Sequence, residues 1–188
     1  MSAGPSPDDR RPESDERVIL VDEDDREVGT AEKFQAHRDA ARHRAFSVFV
    51  FDGDGAMLLQ RRASAKYHSA SLWSNACCGH PRPGETTVDA AHRRLGEEMG
   101  FDCELVPAMT FTYRAELGAG LSEHEIDHVF VGRSDADPTP NPDEVGEWRR
   151  VDVAALRRDV AQRPERYTVW FRMVLDRLLA AAGHAAPG

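Results

Sequence analysis

Asn75-Ala76-Cys77-Cys78-Gly79-His80-Pro81, then Gly84-Glu85, then Arg93-Arg94-Leu95-Gly96-Glu97-Glu98-Met99-Gly100-Phe101, is the stretch that decides the fold. A thiol stands two residues before an imidazole, and a charged helix follows at once. From Thr87 to Met99, Val88, Ala91, Leu95 and Met99 recur at helical spacing as an expected apolar face. Gly100 sits where a C-terminal capping glycine belongs. Residues four apart share a helix face, so Arg93 is set against Glu97 and Arg94 against Glu98. Alone, that pairing describes a solvated face laced with ion pairs. The longer order is Gly79, five residues, Glu85, seven residues, Arg93, then Glu97-Glu98, and it points to chemistry. Carboxylates projecting from one helix can hold a divalent ion, and the ion can neutralise a diphosphate.

Strand patterns surround this helix. Val18–Val21 is a short apolar strand, and Ala45–Phe51 is a longer β-prone run. Asp52-Gly53-Asp54-Gly55 predicts a hairpin into Met57–Arg61. Met109–Ala115, Ile126–Val131 and Glu147–Val151 read as further strands, and Val153–Val160 and Tyr167–Ala182 as helices, with a Pro-rich loop at Asp137–Pro142. Strands before, between and after helices predict an α/β (α+β) sandwich with a mixed sheet.

Composition bounds the function. The chain has 188 residues, 40% hydrophobic and 30% charged, enough for one domain and an ordinary core. A net charge of -9 argues against nucleic-acid binding through a general basic surface, while leaving room for a local basic pocket. There is no apolar run of about 18 residues and no apolar secretory segment, so neither membrane nor export is expected. Three cysteines do not make a disulfide framework, and the expected setting is the reducing cytoplasm. Residues 1–16 read as a disordered acidic tail, 17–182 as a single domain, and 183–188 as a flexible C-terminal tail.

Two groupings carry candidate chemistry. His37 and His43 precede the Phe46 strand, His80 follows Cys78, and Glu123 and Glu125 are two apart, so in extended chain both face one way. Three imidazoles and two carboxylates suit Zn2+, Mn2+ or Mg2+. Spacing alone does not make this a metal site, because a lone histidine is usually a surface or capping residue and Glu-x-Glu in an acidic chain is usually solvated. His68, His92, His124 and His128 carry no assignment. Cysteines are more often packing than catalysis, and Cys103 reads that way. Cys77 and Cys78 are adjacent, so a strand turns them to opposite faces, and Cys78 shares its face with His80.

Taken together, Ala36-His37, His43-Arg44-Ala45-Phe46-Ser47, Asn75–Pro81, Tyr113-Arg114-Ala115 and Glu123-His124-Glu125 resemble the type I isopentenyl-diphosphate isomerases, and Gly79–Phe101 resembles a Nudix box. The resemblance spans roughly residues 17 to 180. The box departs at Arg94, where a glutamate is expected, which favours binding a diphosphate over cleaving it. The resemblance implies a Nudix-like α/β/α sandwich and interconversion of isopentenyl and dimethylallyl diphosphate in isoprenoid biosynthesis. It implies Cys78, Glu125 and Tyr113 as acid/base groups, and His37, His43, His80, Glu123 and Glu125 as ligands of Zn2+, Mn2+ or Mg2+. Glu98 would bind Mg2+ shared with the substrate diphosphate. Lys33, Arg62, Lys66 and Arg94 would surround that diphosphate, and Trp170 would wall the isoprenyl group. A monomer acting on a small molecule is expected. Two other readings stay open: a Nudix hydrolase of a diphosphate substrate, and a non-catalytic Nudix-like binding module.

Overall fold

A computed structural model describes residues 16–66 and 68–183. Apart from Glu16 and Gly183, the expected tails lie outside the described residues. The described strands are β1 (Arg17–Val21), β2 (Glu27–Glu32), β3 (His43–Phe51), β4 (Met57–Arg62), β5 (Trp73–Ser74), β6 (Cys77–Gly79), β7 (Leu105–Gly118), β8 (Leu121–Arg133) and β9 (Val145–Val151). The helices are α1 (Lys33–Arg38), α2 (Thr87–Met99), α3 (Val153–Gln162) and α4 (Val169–Gly183), with a 3-10 turn at Pro164–Arg166 before α4.

β3 organises the sheet because it is buried on both faces. Its parallel partner β8 runs along one whole edge, from His43 opposite Glu125 to Phe51 opposite Arg133. The other edge is shared. β1 meets it at His43, β6 pairs antiparallel with Phe46, Ser47 and Val48, and β4 joins at Phe51 through the expected Asp52–Gly55 hairpin. β4 then pairs with β5 and β9, β7 pairs with β8, and β2 with β1, so the sheet is mixed. Alternation along β3 sends Phe46, Val48 and Val50 into one core with Cys77 and with Ala90, Ala91, Leu95 and Met99 of α2. Phe49 goes into the other core, beneath Trp170, Phe171 and Val174 of α4 and Leu156 of α3. The result is the expected α/β/α sandwich.

Local chemistry sets the helix that carries the box. Thr86 caps α2 by accepting the Asp89 amide at 3.2 Å. Gly100 closes it at φ 74°, where a Cβ would stand 2.2 Å from the Thr139 carbonyl oxygen. Thr139 and Asn141 donate their amides to the Met99 and Glu98 carbonyls, so the Pro-rich loop satisfies the helix end. Val88 corrects one expectation: it lies in the first turn of α2 and is exposed, while Ala90 takes the inward position. Among the described residues no helix is long and apolar enough to cross a membrane.

Candidate active site

Asn75 and Ala76 connect β5 to β6, and the rest of the Asn75–Pro81 stretch carries β6 itself. Buried Asn75 donates to the Val48 carbonyl at 3.0 Å and the Cys77 carbonyl at 2.6 Å, which pins β6 onto β3. Cys77 then faces the α2 core and Cys78 the α4 core. Cys78 lies directly opposite Ser47. All three cysteines are free. Burial pushes the Cys78 thiol up to about 12; Arg62 opposes this, and the Glu98, Glu123 and Glu125 charges reinforce it. It therefore holds its proton at neutral pH.

At the His43 end of the same sheet face, three histidines and one carboxylate converge. The candidate ligand atoms of His37, His43, His80 and Glu125 all lie within 4.8 Å of one another. His80 Nε2 is 3.0 Å from Glu125 Oε1, and His43 Nε2 is 3.2 Å from His80 Nε2. His43 Nδ1 lies 2.8 Å from the Ala41 carbonyl, which can only accept, so the proton sits on Nδ1 and the Nε2 lone pair faces the cluster. Both ring nitrogens of His37 are buried and unpartnered. An unmet buried polar atom costs about 1–3 kcal/mol, so this arrangement asks for an ion. The donor set fits a divalent metal: imidazole lone pairs on one side, an ionised carboxylate on the other. Burial would raise the Glu125 carboxyl, yet its contacts with the His43 and His80 imidazoles hold it well below the usual range. Burial, with the His80 and His43 charges adding to it, pushes His37 down to about 3.

Glu123 stands apart from that group. Tyr113 Oη lies 2.9 Å from Glu123 Oε2 and 2.7 Å from Glu125 Oε2, linking the two carboxyls above β7. Burial, then the Glu125 charge, holds the Glu123 carboxyl well above its ordinary value. Burial and both glutamates do the same to the Tyr113 phenol.

On the α2 side, charges form a second centre. Arg93 grips Glu85 with two bonds, Nε to Oε1 at 2.6 Å and Nη2 to Oε2 at 2.8 Å, which explains the spacing between them. Arg94 bonds Glu98, donates to Glu97 at 2.9 Å, and reaches Glu144 at 3.4 Å. Lys66 pairs with Glu144 at 2.6 Å and Lys33 with Glu16 at 2.8 Å. Lys66 and Arg94 thus meet at Glu144, whose carboxyl burial raises and the Arg94, Lys66 and Lys33 charges together lower. Trp170 is buried, its indole N–H donating to Ser74 Oγ at 3.0 Å, and the Arg62 guanidinium lies 5.3 Å from its ring centre.

Some neighbours were not read from sequence. Glu144 binds two cations, and Gln60 orients Glu98 by a 2.7 Å bond to Oε2. His68 places its ring 5.8 Å from Trp170 and 6.2 Å from His37. Asp127 continues the Glu123-x-Glu125 alternation and accepts from Ser47 at 2.8 Å. Only that period-two continuation was visible in the sequence.

A family model described as "NUDIX domain" matches residues 41–171, and the chain therefore belongs to the Nudix family. Among solved structures, DR0079 from Deinococcus radiodurans superposes with a TM-score of 0.73 at 24% identity, covering 87% of this chain and 99% of that one, which speaks to the fold alone. A MutT protein from Methanosarcina mazei Go1 gives 0.58 at 22% identity, covering 73% and 92%. Within the Nudix family the chain belongs to the isopentenyl-diphosphate Delta-isomerases. "Isopentenyl-diphosphate Delta-isomerase 2" of Aromatoleum aromaticum is 55% identical over 166 residues, 88% of either chain. The protein named "Isopentenyl-diphosphate Delta-isomerase" in Burkholderia multivorans is 53% identical over 163 residues, 87% of this chain and 93% of that one.

Proposed function

We propose that the protein interconverts isopentenyl diphosphate and dimethylallyl diphosphate by adding a proton at one carbon and removing one at another. The observation that carries this reading is a thiol, Cys78, on the same buried sheet face as the Tyr113–Glu123–Glu125 group, with the cations Lys66 and Arg94 meeting at Glu144. Protonating the terminal methylene of an unactivated alkene gives a tertiary carbocation, and loss of a proton from carbon 2 gives the internal alkene. Two acid/base groups flanking the substrate are needed, and Cys78 and the Glu125/Tyr113 pair take those roles. In the reverse direction they exchange them.

Lys33, Arg62, Lys66 and Arg94 hold the diphosphate, remote from the reacting carbons, so binding energy is spent on orientation. Trp170 walls the isoprenyl group, and its ring face stabilises a desolvated cation by about 2 kcal/mol or more. The α4 core over this face keeps out water, which would trap the cation. His37, His43, His80 and Glu125 would hold a divalent ion, with Glu123 beside them through Tyr113, Zn2+ or Mn2+ ahead of Mg2+ because imidazoles are softer than Mg2+ favours. Glu98, now bonded by Arg94 and Gln60, would be the residue to hold Mg2+ with the diphosphate. Such ions would supply charge neutralisation at Glu125 and at the substrate diphosphate. Arg94 fills the position of a further carboxylate, which removes a ligand that water activation for hydrolysis would need. We assign the activity to residues 17–182 acting as a monomer in the cytoplasm.

The test is incubation with isopentenyl diphosphate and Mg2+, reading dimethylallyl diphosphate and free phosphate together. Allylic product without phosphate supports the isomerase. Phosphate release supports a hydrolase, and binding without turnover a binding module.

A further inference from the structure

His37 and His43 are separated by only five residues, and the chain must reverse between the end of α1 and the start of β3 to bring their rings to 5.1 Å. The reversal turns on Ala40, a non-glycine residue held at φ 49°. A side chain at that angle crowds the backbone, and such a conformation persists where surrounding contacts over-determine it. One contact stands out. His124 lies between Glu123 and Glu125 on β8, so alternation turns it to the opposite face, away from those carboxyls. There its Nδ1 is 3.1 Å from the Ala40 carbonyl oxygen. Its Nε2 is 3.2 Å from Arg42 Nε. A guanidinium can only donate and a carbonyl can only accept, so both bonds require the same tautomer: hydrogen on Nδ1, lone pair on Nε2. Arg42 sits in the same connection, so His124 grips it at two places. The next carbonyl, Ala41, takes the bond from His43 itself. Two imidazoles thus hold consecutive carbonyls of one reversal, His43 from the metal side and His124 from behind.

We infer that His124 is a positioning residue for the His37/His43/His80/Glu125 centre: it locks the Ala40 reversal and so fixes where His37 and His43 present their nitrogens. The inference rests on the reading of those residues as metal ligands. Groups that orient metal ligands in this way typically alter metal affinity 10- to 100-fold when removed.

The test uses the full-length, metal-free protein and Zn2+ alone, with affinity read by competition against a chromophoric chelator. An asparagine side-chain nitrogen is the same number of bonds from Cα as imidazole Nδ1, whereas a glutamine nitrogen is one bond further. His124→Asn therefore keeps the bond to Ala40, and His124→Gln and His124→Ala lose it. Expected affinities are within about threefold of wild type for His124→Asn and about 10-fold or more weaker for the other two. Far-ultraviolet circular dichroism of each metal-free variant reports folding separately. An Ala40→Gly background supplies a second readout, because glycine adopts the angle unaided. There the His124→Ala penalty should shrink toward threefold or less. Equal affinity in His124→Ala and wild type, a loss in His124→Asn as large as in His124→Ala, or an undiminished penalty in the Ala40→Gly background would each overturn the inference. Failure of the wild-type protein to bind Zn2+ would instead overturn the ligand assignment beneath it.

Discussion

Tyr113→Phe isolates the link between the Glu123 and Glu125 carboxyls. The hydroxyl stands 2.9 Å from Glu123 and 2.7 Å from Glu125, yet it has one proton to donate. Phenylalanine keeps the ring, which stacks on Phe111 with centroids 5.6 Å apart, so the change removes the hydroxyl and little else. A hydrogen bond to a charged group contributes about 1.5–3 kcal/mol, and here its loss removes the donor that two buried carboxyls share. For a domain of this size that amounts to a fall in melting temperature of about 3–12 °C. Turnover should fall by about 10²-fold, the lower end for an assisting acid/base group. Calorimetry of the metal-free proteins and an initial-rate assay measure both. A melting temperature unchanged within a degree would refute the reasoning, since Glu123 and Glu125 would then be holding a proton between themselves without help from Tyr113.

Cys78→Ala should reduce turnover by at least about 10³-fold, with circular dichroism unchanged; full activity would end the thiol mechanism. His37 makes metal-free stability depend on pH. Its folded pKa is depressed to about 3 from 6.5, so its contribution is intact above pH 6.5 and is lost as pH falls toward 3. At pH 5 the loss is about 2 kcal/mol, and a His37→Phe variant should show a urea midpoint that falls less steeply between pH 7 and pH 5. Gly100→Ala should cost at least about 3 kcal/mol, combining the left-handed angle with a clash. The clash is the Cβ placed 2.2 Å from the Thr139 oxygen, and chemical denaturation measures the sum. Saturating Zn2+ at about 100 times its dissociation constant should stabilise the protein by about 2.7 kcal/mol, and chelation should reverse it.

What could be read in sequence followed local signals. α2 runs from Thr87 to Met99, as its apolar spacing and terminal glycine indicate, and β3 extends the β-prone run by two residues to His43. β2 escaped notice because Glu27-Val28-Gly29-Thr30-Ala31-Glu32 is polar, carries a glycine and pairs only with β1. α1 has six residues, too few for a helical period, and β5 and β6 have two and three, made by pairing with β4 and β3. The strand ends at Leu105–Ala108 and Leu121–Glu125 were hidden by polar residues and Pro107 that long-range pairing overrides. Parity placed Cys77 and Cys78 on opposite faces and Glu123 with Glu125 on one, because side-chain alternation is a local rule. The meeting of His37 with His43 was not legible, since it depends on Ala40 adopting a left-handed angle with no glycine to announce it. Glu144 was equally silent, because its partners Lys66 and Arg94 are 78 and 50 residues away.

The most direct measurement follows isopentenyl diphosphate in deuterated buffer by proton and phosphorus magnetic resonance, with the protein pre-equilibrated in the same buffer. Proton addition and removal by Cys78 and Glu125/Tyr113 predicts dimethylallyl diphosphate carrying solvent deuterium in its new methyl group, with the diphosphate signals intact. Inorganic phosphate in the phosphorus spectrum, or an allylic product free of deuterium, would contradict it.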